Sequence, residues 1–176
     1  MKKLIAVTLI GLLLAGCGAT TVKTGLGHTV SIAKSTDATA EKPGLAQVDT
    51  VMAAVTFDQS GKILGVKIDN AQTKINFDAT GKITTDKTQL QKTKVELGEA
   101  YGMKKASKIG KEWYEQIAEL EKWMVGKTVD QVKAMKTKKV DDAHPNVPDE
   151  ADLTSKVTVS VQDYIFAVEE ALKNAK

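Results

Sequence analysis

The hydrophobic pattern of this chain changes period once. From His28 to about Asp86 the apolar residues fall in short runs that alternate with polar ones, the period-2 signature of half-buried strands. From Ile109 onward they recur every three or four residues, the signature of helices with one apolar face. Strands first and helices after predict an α+β domain: an antiparallel sheet built from hairpins, with helices packed on one face. Strands are expected over His28–Ile32, Val48–Phe57, Ile63–Asp69, Lys74–Phe77 and Lys82–Thr85. Two turns share a pattern, Asp58-Gln-Ser-Gly61-Lys-Ile63 and Asp78-Ala-Thr-Gly81-Lys-Ile83. In each, an Asp can bond back to its own turn and a Gly is free to take positive φ, so both are expected at hairpin tips. Neither loop has the acidic ladder or the closing Glu that calcium needs.

In the second half, Ile109, Trp113, Ile117, Leu120 and Met124 mark one face of a helix expected over Lys108–Val125 and ended by Gly126. Thr128-Val-Asp-Gln131 has capping-box spacing and predicts a second, shorter helix. A Pro-containing loop, Ala143–Asp149, leads to a last helix expected over Ser160–Asn174. Its start signal is Ser160 three residues before Asp163, and its stripe is Val161, Tyr164, Ile165, Val168 and Leu172.

The N-terminus carries a different message. Lys2 and Lys3 precede an apolar run, Leu4–Ala15, that is too short to span a bilayer, where about 20 residues are needed. Residues 1–16 are therefore expected to be an export signal. Leu14-Ala15-Gly16-Cys17 resembles the lipobox of bacterial lipoproteins, which implies lipidation of Cys17 and a position on the extracytoplasmic face of a bacterial membrane. Residues 17–27, with Gly18, Gly25 and Gly27, are expected to form a flexible tether; ten such residues reach about 17 Å r.m.s.. The domain proper is then expected over 28–176.

Cys17 is the one cysteine, so neither an internal disulfide nor a cysteine-based metal cluster can form. All 25 basic residues are lysines; without Lys2 and Lys3, 23 remain against 22 acids, a net +1. So little net charge, with no arginine fork for base edges, argues against a nucleic-acid partner. No nucleophile elbow, phosphate-cradling glycine loop or metal-ligand spacing appears, and no catalytic residue or metal is assigned. Asp141-Asp142-Ala-His144 reads as a solvated loop, because adjacent side chains seldom converge on one ion.

One segment points to a ligand. Val147-Pro-Asp149-Glu150-Ala151-Asp152-Leu153-Thr154-Ser155 resembles a diverged form of the Ser-Gly-Ala-Thr-x-Thr-Ser motif of bacterial FMN-binding domains. Ala151, Thr154 and Ser155 match, whereas Asp149, Glu150 and Asp152 replace the family's Ser, Gly and acceptor Thr. The resemblance extends over about Leu45–Leu172. It takes in the strand-hairpin-strand Val51–Asp69, and Lys92–Val125, which is similar to surface lipoproteins of Gram-positive anaerobes. In that family the Thr carries FMN through a phosphoester; a carboxylate at Asp152 has no hydroxyl to offer, so the resemblance implies noncovalent FMN at most.

Tyr101, Trp113, Tyr114 and Trp123 cluster with Lys104, Lys105, Lys108 and Lys111. Trp113, on the apolar stripe, is expected in the core, and Tyr101 and Tyr114 on a pocket wall. The expectation is a membrane-anchored, non-enzymatic lipoprotein with an FMN-binding-like domain. It would act as a flavin or redox accessory module beside a membrane electron-transfer system. The alternative is a degenerate relative that binds another small ligand, a cell-wall component or a protein.

Overall fold

The computed structural model describes residues 21–176. The expected leader, Cys17 and residues 18–20 of the expected tether lie outside the described residues. The domain is α+β. Strands β1 (Lys23–Ser31), β2 (Gly44–Phe57) and β3 (Ile63–Phe77) form an antiparallel sheet in the order β1-β2-β3. A small second sheet pairs β4 (Thr137–Lys138) with β5 (Val147–Pro148). The helices are α1 (Lys94–Leu97), continued by a 3-10 turn at Gly98–Tyr101, then α2 (Trp113–Met124), α3 (Val129–Lys133) and α4 (Gln162–Lys173).

The core lies between one face of the sheet and the helices. Alternation sends Val51, Ala53, Val55 and Phe57 of β2 and Ile63, Val66 and Ile68 of β3 inward. They meet Ile117, Leu120 and Met124 of α2, and Ile165, Ala167 and Val168 of α4. Trp113 is buried as expected; its indole N–H donates to the Tyr164 hydroxyl over 2.9 Å, and the two rings meet edge to face. β3 is an edge strand, and Glu121 of α2 blunts it by accepting from the Ile68 N–H at 2.8 Å and pairing with Lys67 at 2.7 Å.

Lys23–Gly27, expected in the flexible tether, belong to β1. Gly25 and Gly27 are there for closeness and not for flexibility. A Cβ on Gly25 would lie 1.8 Å from the Ala171 carbonyl oxygen, and one on Gly27 1.9 Å from that of Ala167. Glycine on the strand and alanine on the helix let α4 lie directly against the backbone of β1. The two chain ends also meet: Thr24 and Lys176 exchange backbone hydrogen bonds of 3.0 and 3.2 Å.

Other boundaries move for local reasons. The strands expected over Ile63–Asp69 and Lys74–Phe77 are one strand. Past the Asp78 turn the chain makes only the bridge of Phe77 with Ile83, so no strand forms over Lys82–Thr85. Both Asp turns nonetheless close alike. Asp58 accepts from the Ser60 and Lys62 N–H groups and Asp78 from those of Thr80 and Lys82, with Gly61 and Gly81 at positive φ. The helix expected from Lys108 starts at Trp113, because Glu112 is its extended N-cap and its backbone N–H donates to the Glu115 carboxylate at 2.8 Å. The short helix after Thr128 has the expected capping box. Ser160 does not cap α4; Val161 holds that position, and the Ser160 hydroxyl accepts from the Asn146 N–H instead. Leu172 is exposed, its expected core place taken by Ala167 and Ala171.

Candidate functional site

Along β2 and β3 the inward face changes character. The pairs Val55–Val66 and Ala53–Ile68 are apolar, the next is Val51–Asn70, and beyond it come Asp49–Gln72 and Gln47–Lys74. Here the sheet's inner face turns polar, and the helices stop covering it. The N-terminal ends of α2 and α4, with Trp113, Asp163 and Tyr164, stand around the resulting cleft of about 510 Å³, which Lys34, His144 and Tyr101 also line.

The segment carrying Lys94 and Tyr101 is held in place by its own caps. Thr93 and Glu96 form a reciprocal capping box at the start of α1, Thr93 bridges to Ala71 of β3, and the Val95 N–H donates to Asp69. After the 3-10 turn, the buried Glu112 carboxylate accepts from the Met103 and Lys104 N–H groups at 2.9 and 3.0 Å, pinning the chain beside Tyr101. Lys94 is 9% exposed. Its Nζ lies 4.9 Å from the centre of the Tyr101 ring and 5.1 Å from that of Trp113. Burial, with Lys34 adding to it, pushes the ammonium down to about 8. The Tyr101 hydroxyl donates to Gln72 at 3.3 Å, and burial, with Asp49 and Glu112 nearby, pushes its phenol up. Burial would raise Asp49, but hydrogen bonds from Lys34 and Gln47 outweigh it and hold the carboxyl below its usual range. The Asn70 amide oxygen is buried with no hydrogen-bond donor among the described residues.

Two further hollows adjoin the cleft. One, of about 540 Å³, shares Gln72, Lys94 and Tyr101 with it and continues to Lys74 and Lys92. The other, of about 310 Å³ and more apolar, shares Met103, His144 and Val159 with it and reaches Thr154, Val147 and Pro148. The three together form one groove.

Comparison with protein-family models, with curated proteins and with solved structures returns no match to this chain.

The structure brings together only part of the residue set expected to touch a ligand. Tyr101 stands where the cleft meets the lysine-lined hollow, and Thr154 lines the apolar one. Ala151 and Ser155 are exposed on the turn after β5 and line none of the three hollows; Tyr114 is half-buried against the core and lines none either. Of the expected lysines, Lys108 reaches the apolar hollow. Asp141 and His144 pair with each other at 2.7 Å on an exposed turn. Asn70, Gln72, Lys74, Lys92 and Lys94 are absent from the expected set. Their signal was the run Asn70-x-Gln72-x-Lys74, polar residues at the period-2 positions that Val66 and Ile68 had made inward-facing, followed by the Thr93–Glu96 capping box.

Proposed function

We propose that this chain is a lipid-anchored extracytoplasmic binding module whose groove takes a planar aromatic ligand noncovalently. A flavin is the first candidate, and the chain serves as a redox accessory to a membrane system. The observation that carries the reading is the cleft itself, lined by the buried Lys94, the rings of Tyr101 and Trp113, and Asn70, whose buried amide oxygen has no donor among the described residues. A buried acceptor without a partner costs about 1–3 kcal/mol; a ring N–H of a bound ligand relieves that cost. Tyr101 supplies a stacking face, and Gln72 a further amide. The direction of β1 supports the anchored arrangement. Five residues separate Cys17 from Lys23, and β1 then runs about 30 Å to Ser31 at the cleft. The groove would open away from the bilayer.

A second reading is favoured by the exposure of Ala151 and Ser155 outside the groove and by Asp152 in place of an acceptor hydroxyl: the same cleft serves a non-flavin ligand, a cell-wall component or a protein. Titration of the purified chain with riboflavin, followed by its visible absorption, separates the two. Saturable binding with a shifted flavin band, lost in Tyr101→Ala, supports the first. No saturation into the high micromolar range sinks it and leaves the second.

A further inference from the structure

The hollow bounded by β3, residues 89–92 and Tyr101 is lined by Lys74, Lys92 and Lys94 together with the amides of Gln72, Gln89 and Gln91, and by no carboxylate among the described residues. Three cations crowded into one concavity repel one another. In most such clusters neighbouring acids neutralise them, yet among the described residues none of the three forms an ion pair. Lys94 is the decisive member. It is nine-tenths buried, and Asp49 and Asp69 act on it without closing an ion pair, which leaves a buried ammonium costly. The faces of Tyr101 and Trp113 give it further compensation. The lysine fits a site made to receive negative charge.

We propose that this hollow is an anion site that takes the phosphate group of a small-molecule ligand, Lys94 at its base and Lys74 and Lys92 at its rim. The amide N–H groups of the glutamines can donate to the remaining phosphate oxygens. Gln72, Lys94 and Tyr101 belong to this hollow and to the cleft alike. A phosphate held here therefore projects the rest of its molecule past Tyr101 into the cleft. The inference deepens the binding-module reading by assigning the ligand a phosphate end, but it does not require that ligand to be a flavin.

The test uses the full-length chain, purified in a non-ionic detergent and titrated with inorganic phosphate by calorimetry at low ionic strength. Saturable one-to-one binding is expected. It should weaken at least tenfold in Lys94→Met and severalfold in Lys74→Gln and in Lys92→Gln. Lys122→Gln, which removes a lysine already paired with Glu119 on α2, should leave it unchanged. No saturable binding, or equal weakening by Lys122→Gln, overturns the proposal. Should Lys94→Met fail to fold, the double variant Lys74→Gln/Lys92→Gln at the exposed rim decides the matter, and unchanged binding there also overturns it. Riboflavin and FMN keep this inference separate from the flavin reading. Phosphate binding without riboflavin binding supports the anion site and removes the flavin. Riboflavin binding with FMN no tighter and phosphate silent keeps the flavin and removes the anion site.

Discussion

Lys94 is a side chain whose cost to the fold can be measured as a function of pH. Its folded pKa of about 8 lies below the ordinary 10.5, so below 8 the folded domain carries a charge that it holds poorly. Between 8 and 10.5 the unfolded chain keeps the proton that the folded chain has released, and linkage then makes stability rise with pH. The full difference corresponds to roughly 3 kcal/mol. Lys34 and Lys74 add to the downward push on this ammonium, and the carboxylates of Asp49 and Asp69 oppose it. Urea unfolding in phosphate-free buffer should find Lys94→Met more stable than the native chain below pH 8, by up to about 3 kcal/mol, with the gap closing toward pH 10.5. A gap that stays constant across the range would show that the amine is not under strain.

Glycine and alanine meet where β1 and α4 touch, and that contact is the most demanding between elements. In Gly27→Ala the new methyl would meet helix backbone, which cannot turn aside as a side chain can, so α4 must move off the strand. A loss of about 3 kcal/mol or more is expected in equilibrium unfolding; a loss under about 1 kcal/mol would mean that helix and strand part easily. This is also where the pattern in the chain misleads. Gly25 and Gly27 sit near a small, polar N-terminal stretch, where glycine ordinarily marks a linker, and nothing local distinguishes a linker glycine from one that admits a helix. Elements defined by their own residues were readable: the two Asp turns, the Thr128 cap and the stripe of α2. Those set by distant partners were not. Ala167 and Ala171 displace Leu172 from the core because only small residues fit against the glycines, and Lys82–Thr85 fails to extend as a strand beyond the Phe77–Ile83 bridge. The site follows the same division, since Tyr101 was visible as an aromatic in a cluster, while Lys94 became significant only when β3 and α1 placed it behind two rings.

For the molecule as a whole, the ends matter as much as the middle. A chain that begins at His28, as strand alternation alone would draw the domain, loses the first five residues of β1, both close-packed glycines and the Thr24–Lys176 pairing. It should be unfolded by circular dichroism, whereas a chain that begins at Gly18 should give a cooperative melt; equal melts for the two would show that β1 contributes little. Cys17→Ser should abolish palmitate incorporation and move the protein from the detergent phase to the aqueous phase on partitioning, and unchanged partitioning would remove the anchor from the account. The meeting of the termini has a mechanical side as well. A pull on the N-terminal end of β1 acts along the strand, so all nine residue pairs between β1 and β2 are loaded in shear at once instead of being peeled apart singly. With α4 lying along that strand as a splint, the domain is braced against traction in the direction from which a tethered protein would be dragged.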